Sequence, residues 1–200
     1  MGLIVGLTGG IGCGKSTVAK LLSQHGAQII DTDLISHGLT GVGGAAITAI
    51  NTHFGSGFIN SDGALDRAKM RNAIFSDSDK KQQLESIMHP LILARVREQL
   101  LESGSHPYVV IVVPLLFNSP IYLKLVQRIL VVDCSERQQI IRVMQRSGMS
   151  EAEVQNIISQ QTRRDERLRR ADDVISNEGD IAALATQVER LHSGYISSKS

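Results

Sequence analysis

The stretch Gly9-Gly10-Ile11-Gly12-Cys13-Gly14-Lys15-Ser16, followed by Thr17, constrains this chain more than any other. It fits G-x-x-x-x-G-K-[ST], a loop whose backbone N–H groups curl around phosphate oxygens. Its flanks agree with that pattern. Leu3-Ile4-Val5-Gly6-Leu7 before it is an apolar strand, and Val18-Ala19-Lys20-Leu21-Leu22 after it has helical spacing. Glycines permit the tight turn, and the helix N-terminus that follows favours anions. Lys15 is placed to reach the β- and γ-phosphates of a nucleoside triphosphate, and the Ser16 hydroxyl to ligate Mg²⁺. A glycine-rich turn with an incidental Lys-Ser is the bland alternative, and the matching flanks argue against it.

Length and charge bound the rest. Two hundred residues suit one α/β core with one or two insertions. A net charge of +1 gives no global field for nucleic acid or an acidic membrane. No apolar run approaches the ~20 residues of a membrane span. The first strand begins at once, so no signal peptide is expected, and Met1-Gly2 lacks the Ser or Thr that myristoylation needs at position 6. Cys13 and Cys134 are far apart in sequence and follow no metal spacing, which points to a reduced, cytoplasmic compartment. Cys13, near a helix N-terminus, is either oxidation-sensitive or an inert loop residue.

The element pattern alternates strand and helix. Strand 3–8, helix 15–25 and strand 27–31 form a βαβ unit, with Gly26 at the helix C-cap. From 34 to 106 no convincing core strand follows. A helix is expected near 65–75, started by Asp66, and another over 77–88 that Pro90 interrupts before 91–101 continues. Ser61-Asp62-Gly63 reads as a turn. Tyr108–Val113 and Arg128–Asp133 are apolar runs of the kind buried in parallel sheets. Ser135 caps a helix 136–147 with Gln138 as its capping partner, and Ser150 with Glu153 opens a helix to about 168. A fifth strand at 174–177, a helix 180–194 and a disordered tail from Ser197 complete the chain. The fold class is α/β: a five-stranded parallel sheet with helices on both faces and a helical insertion. Sites in such sheets lie at the carboxyl ends of strands. That expectation gathers the glycine loop, Asp31-Thr32-Asp33, Pro114-Leu115-Leu116-Phe117 and Asp133.

Charged residues then divide into candidates and alternatives. Asp31 and Asp33 can split two tasks, one holding Mg²⁺ through water and the other taking a proton from an attacking hydroxyl. The alternative makes Asp33 a helix cap and Asp31 a solvated acid. Asp133 is either the metal-holding acid after an apolar strand or a surface cap. Eight of the fourteen arginines fall between positions 137 and 170. Arg142 and Arg146 share a helical face and suit a transferring phosphoryl group. A salt-bridged helix pair with Glu151, Glu153, Asp165 and Glu166 is the competing reading, and it is preferred for Arg169-Arg170. Arg67 and Arg71 put positive charge on one helical face, while His89-Pro90 reads equally as a helix kink.

Taken together, these motifs resemble the dephospho-CoA kinase family over about positions 3–180. The carrying residues are Thr8 to Thr17, Asp31-Thr32-Asp33, Asp62-Gly63-Ala64-Leu65-Asp66-Arg67 with Arg71, His89-Pro90-Leu91-Ile92, Pro114-Leu115-Leu116-Phe117, Gln161, Ala171 to Asn177, and Gly179. Cys13 departs from a frequent Ser, Asn118 from the usual Glu, and His37 from a frequent Arg. The resemblance implies a nucleotide-binding core (1–33, 107–141 and 166–200), a helical CoA domain (34–106) and a lid (142–165). It implies Mg·ATP-dependent phosphorylation of the ribose 3′-hydroxyl of dephospho-CoA, the last step of coenzyme A synthesis. Lys15 and the amides of Gly10, Ile11, Gly12, Cys13, Gly14, Ser16 and Thr17 then hold the phosphates, and Ser16 with Asp31 holds the metal. Asp33 deprotonates the hydroxyl, and Arg142 and Arg146 close over the phosphoryl group. Asn177 and Gly179 contact adenine, and Arg67, Arg71 and His89 bind the CoA moiety. Another small-acceptor kinase, such as a nucleoside monophosphate kinase, shares the core and lid logic. A nucleotide-dependent switch is disfavoured because no N-K-x-D base-reading motif is present.

Overall fold

The computed structural model describes residues 2–75 and 77–197. Its elements are β1 (Leu3–Gly9), α1 (Lys15–Gln24), β2 (Gln28–Asp31), α2 (Thr32–Leu39), α3 (Ile47–Phe54), α4 (Arg67–Phe75) and α5 (Ser78–Glu102). They continue with β3 (Tyr108–Val112), α6 (Pro120–Leu123), β4 (Arg128–Asp133), α7 (Glu136–Ser147), α8 (Glu151–Ser159), α9 (Arg164–Arg169), β5 (Asp173–Ser176) and α10 (Ile181–Ser197). The strands form one five-stranded parallel sheet with helices on both faces, in the order β2-β3-β1-β4-β5.

Strand order follows burial. β3 is buried at every residue, as is β1 after its first, and these lie inside the sheet with β4. β2 and β5 keep exposed or half-buried positions, and they form the edges. The βαβ unit is present with a strand between its two strands. β1 and β2 are consecutive in sequence but are not neighbours, because β3 takes the place between them. Leu3 stands opposite Tyr108 and Leu7 opposite Val112 on one side of β1, with Thr8 opposite Val131 on the other. Val5, Leu7, Val110, Leu130 and Val132 form the core with Val18 and Leu22 of α1. Each such side chain contributes about 1.5–3 kcal/mol relative to exposure.

Two compact units emerge from the contacts: Met1–Ile30 with Ser103–Ser200, and Asp31–Glu102. Residues 142–165 fall within the first. The second is helical, with its own core of Leu39, Ala46, Ile50, Leu65, Met70 and Met88. A single antiparallel bridge, Ile59 to Leu65, closes the turn that carries Gly63. Asp66 starts α4, accepting from the Lys69 amide at 3.0 Å.

Helix boundaries differ from expectation in four places. Pro90 does not interrupt α5, which runs unbroken through it. Pro90 and Ser86 are both exposed, so the i→i−4 bond that proline cannot donate falls on the solvent side of the helix. The helix begun at Ser150 ends at Ser159, not near 168, and α9 starts afresh after an extended Arg163. Ser135 accepts from the Gln138 amide at 3.4 Å, yet its own amide and hydroxyl go to the Glu178 carboxylate, so Glu178 takes the side-chain role assigned to Gln138. Ser197 ends α10 as a helical residue, and the remainder of the expected disordered tail lies outside the described residues.

Candidate active site

The glycine loop links β1 to α1 and is built against α7 and the end of β5. Gly14, the N-cap of α1, has φ 93°, in the left-handed region that favours glycine. A Cβ there would stand 2.3 Å from the Asn177 Nδ2 atom, and one on Gly10 would stand 2.6 Å from the Gln139 Oε1 atom. Those two atoms end flexible side chains and can yield, whereas a Cβ on Gly9 would stand 2.2 Å from the Val132 carbonyl oxygen, a backbone atom that cannot, so the first pattern glycine is required by packing. The Lys15 ammonium donates to the Gly9 carbonyl at 2.9 Å and to the Gly10 carbonyl at 3.0 Å. It thus stays folded over the loop it belongs to. Thr17 and Val18 donate their amides to the Gly14 carbonyl, starting the helix, while Ser16 stands exposed in its first turn.

Around the loop lies a polar frame whose members the sequence named only separately. Asn177, 9% exposed, donates through Nδ2 to the Cys13 carbonyl at 2.7 Å and through its amide to the Asp133 carbonyl at 2.8 Å. Its own carbonyl accepts from Arg142 Nη2 at 2.9 Å. The expected adenine contact is therefore set against a side-chain amide already committed to the loop. Gln161 Oε1 accepts the Ile11 amide at 3.1 Å, occupying one N–H of the cradle. Asp133 is neither a surface cap nor open. It is buried and grips Arg164, with Nε at 2.9 and 3.1 Å and Nη2 at 2.6 Å. That carboxylate raises the Arg164 pKa still further above its ordinary value. Arg167 is 6% exposed, and its Nη1 donates to the Thr162 carbonyl. Gln139 and Arg167 carried no motif, so only packing around the loop exposes their part. Arg146, four residues beyond Arg142, is exposed and reaches only Ser147 Oγ at 3.4 Å. The two arginines thus differ in setting, despite their shared helical face.

The acidic pair at the end of β2 takes roles opposite to one alternative. Asp31, not Asp33, is the N-cap of α2: its Oδ1 accepts from the Asp33 amide at 2.8 Å and the Leu34 amide at 3.2 Å. Asp33 is exposed in the first turn. Within the helical unit, Arg67 Nη2 donates to the His37 carbonyl and to Thr40 Oγ1, both at 3.0 Å, and Nη1 lies against the His37 ring. Arg67 is thereby a brace for the C-terminus of α2, where a cation is favoured. Arg71 and His89 are exposed, as is Gly179 in the other unit. The departures noted in sequence have partners: His37 meets Arg67, and Asn118 Oδ1 accepts from Thr162 Oγ1 at 2.9 Å. The two cysteines, remote in sequence, are brought together, with their sulfurs 3.0 Å apart and both buried.

With this geometry in view, a family model described as dephospho-CoA kinase matches residues 3–183. The chain belongs to the dephospho-CoA kinase family. A dephospho-CoA kinase of Aromatoleum aromaticum is 52% identical over 193 residues, covering 96% of this chain and 94% of that one. Among solved structures, TT1252 from Thermus thermophilus is similar with a TM-score of 0.80 and 28% identity, covering 100% of this chain and 98% of its own. The dephospho-CoA kinase from Campylobacter jejuni shares the fold, with a TM-score of 0.74 at 24% identity and full coverage of both chains. The family is ATP-dependent and uses Mg²⁺. The loop fits that donor in its chemistry: Lys15 supplies a cation, and Ser16, exposed in the first turn of α1, supplies a hydroxyl. Among the described residues no cluster of three His, Cys, Asp or Glu forms a metal site.

Proposed function

We infer that this chain transfers the γ-phosphoryl group of ATP to the ribose 3′-hydroxyl of dephospho-CoA, giving coenzyme A and ADP, the last step of coenzyme A biosynthesis. The observation that carries this reading is the family match across residues 3–183, on a chain whose glycine loop has the packing just described.

The residues divide the work as follows. Lys15 leaves the Gly9 and Gly10 carbonyls for the β- and γ-phosphates, where charge grows as the phosphoryl group departs. Gln161 gives up the Ile11 amide, so that N–H can donate to phosphate. Ser16 and, through water, Asp31 would hold Mg²⁺, which would supply positive charge against the phosphates. Asp33 orients the 3′-hydroxyl and takes its proton. Arg146 supplies mobile positive charge, and Arg142, tied to the Asn177 carbonyl, supplies fixed charge. Adenine packs near Asn177 and Gly179. Arg71 and His89 meet the anionic part of the acceptor, and Arg67 holds α2 in place for them. The core of 1–33, 107–141 and 166–200 takes the nucleotide, 34–106 takes the acceptor, and 142–165 closes as a lid that excludes water. Among the described residues no helix is long and apolar enough to cross a membrane. The partners are ATP and dephospho-CoA, without nucleic acid or membrane, and the place of work is the cytoplasm, where the free thiols stay reduced.

An ADP-release assay over a panel of acceptors tests the reading. Dephospho-CoA is expected to drive turnover well above AMP and above no acceptor. Robust use of AMP with none of dephospho-CoA would overturn it.

A further inference from the structure

The mechanism above makes no use of the two buried sulfurs. Cys13 lies within the glycine loop, one residue before Gly14, and Cys134 directly follows the last residue of β4. They are 121 residues apart, yet their sulfurs approach to 3.0 Å, with Cys134 Sγ donating to Cys13 Sγ. Both are free thiols and fully buried. The Cys13 backbone is fixed on two sides, its carbonyl accepting from Asn177 Nδ2 and its amide donating to the Gly10 carbonyl.

We propose that Cys13 and Cys134 form an oxidative modification site, closing to an intramolecular disulfide that disables the glycine loop. The oxidant is a small peroxide, close to water in size and able to enter when the loop opens locally. The Cys13 thiolate attacks one peroxide oxygen, breaking the O–O bond and releasing hydroxide, which becomes water, to leave a sulfenic acid. Cys134, giving up its proton, attacks that sulfur and expels the oxygen as a second water. In sum, two thiols and one hydrogen peroxide give one disulfide and two waters. The sulfurs lose two electrons, and the peroxide oxygens gain them.

The surroundings assign the roles. The Cys13 pKa is lowered, first by the hydrogen bond from Cys134, then by the charges of Lys15 and Arg167, against the opposing effect of burial. That of Cys134 is raised by the same hydrogen bond and by burial. Cys13 is therefore the attacking thiolate and Cys134 the resolving thiol. A disulfide requires sulfurs about 2.05 Å apart, roughly 1 Å closer than here. That closure pulls on a residue whose neighbours Gly12 and Gly14 shape the cradle. Displacements of about 1 Å at such sites cost up to roughly 100-fold in rate.

The test treats the reduced full chain with hydrogen peroxide and reads intact mass, thiol alkylation after denaturation, and turnover. The expected result is a monomer lighter by two hydrogens, neither cysteine alkylated, and turnover down about tenfold or more, restored by a thiol reductant. Cys134→Ser should keep the activity of the reduced protein and show neither the mass loss nor the reductant-reversible inhibition. Two alkylatable cysteines after treatment, or a disulfide with unchanged turnover, would overturn the proposal. So would the same reversible inhibition in Cys134→Ser. Should that variant not fold, Cys13→Ser tested by mass alone serves the same end. The turnover readout rests on the phosphoryl-transfer reading, whereas the mass readout does not. A reduced protein without turnover would count against that reading alone.

Discussion

Within the sheet-bearing unit, the charged groups around the glycine loop end on fixed partners: Lys15 on two loop carbonyls, Arg164 on Asp133, Arg142 on the Asn177 carbonyl. In Asp31–Glu102 the polar candidates Asp33, Arg71 and His89 stand exposed, and Arg67 is engaged as a brace. On the proposed function, the difference reflects what each unit recognises. A triphosphate is rigidly charged and meets a preformed cradle, whose backbone must be held by buried polar atoms. On the same proposal, the acceptor is met by surface groups that depend little on the core beneath them. Substitutions should therefore behave differently in the two units: around the loop they cost stability and rate together, whereas among the exposed acceptor residues they cost function alone.

Asp33→Asn is the sharpest probe of that contrast. Turnover should fall by about 10²–10⁴-fold with ATP affinity and melting temperature unchanged, because a base is lost from an exposed position. A variant at the normal rate would remove Asp33 from the chemistry. Lys15→Met should lower turnover by about 10²–10³-fold and weaken ATP binding too, as isothermal titration would read. Asn177→Ala should destabilise the protein by about 1–3 kcal/mol in denaturant melts, since it leaves the Cys13 carbonyl unmatched. Full stability in that variant would break the claim that buried polar atoms hold the loop. Arg71→Ala should raise the KM for the acceptor about tenfold without moving the melting temperature or the KM for ATP.

The smallest expected effect is one of pH. His192 accepts from or donates to the Tyr108 hydroxyl at 3.1 Å and stacks on His25. Its pKa is lowered from 6.5, first by burial and then by the charge of His25. The unfolded chain therefore binds the proton more readily, and stability present above 6.5 declines as pH falls through and below it. Melting temperatures taken from neutral to mildly acid pH should decline less in His192→Phe than in the parent.

Legibility in the sequence followed backbone demands. The glycine loop was readable because left-handed and closely packed positions accept only glycine, and β3 and β4 because strands buried on both faces must be continuously apolar. Strand order was not readable in the first crossover, since nothing in residues 3–31 states that β3 will enter between β1 and β2. Pro90 misled because proline's cost depends on which face it occupies, and here that face is solvent. Asp31 and Asp33 could not be told apart as caps, since both residues suit the position and only the start of α2 decides. Gln139 and Arg167 had no spacing rule to announce them, and Gln161, named through the family resemblance, meets its partner Ile11 150 residues away. The same holds for Cys13 and Cys134, which spacing kept apart and folding joined.

The central claim is that phosphate leaves ATP for a ribose hydroxyl and not for water. Phosphorus NMR of a reaction containing the protein, Mg·ATP and dephospho-CoA tests it most directly. The account predicts one new phosphomonoester on the 3′ carbon of the ribose for every ADP formed, with little free phosphate. ADP accumulating with an equal amount of inorganic phosphate, and dephospho-CoA left intact, would contradict it.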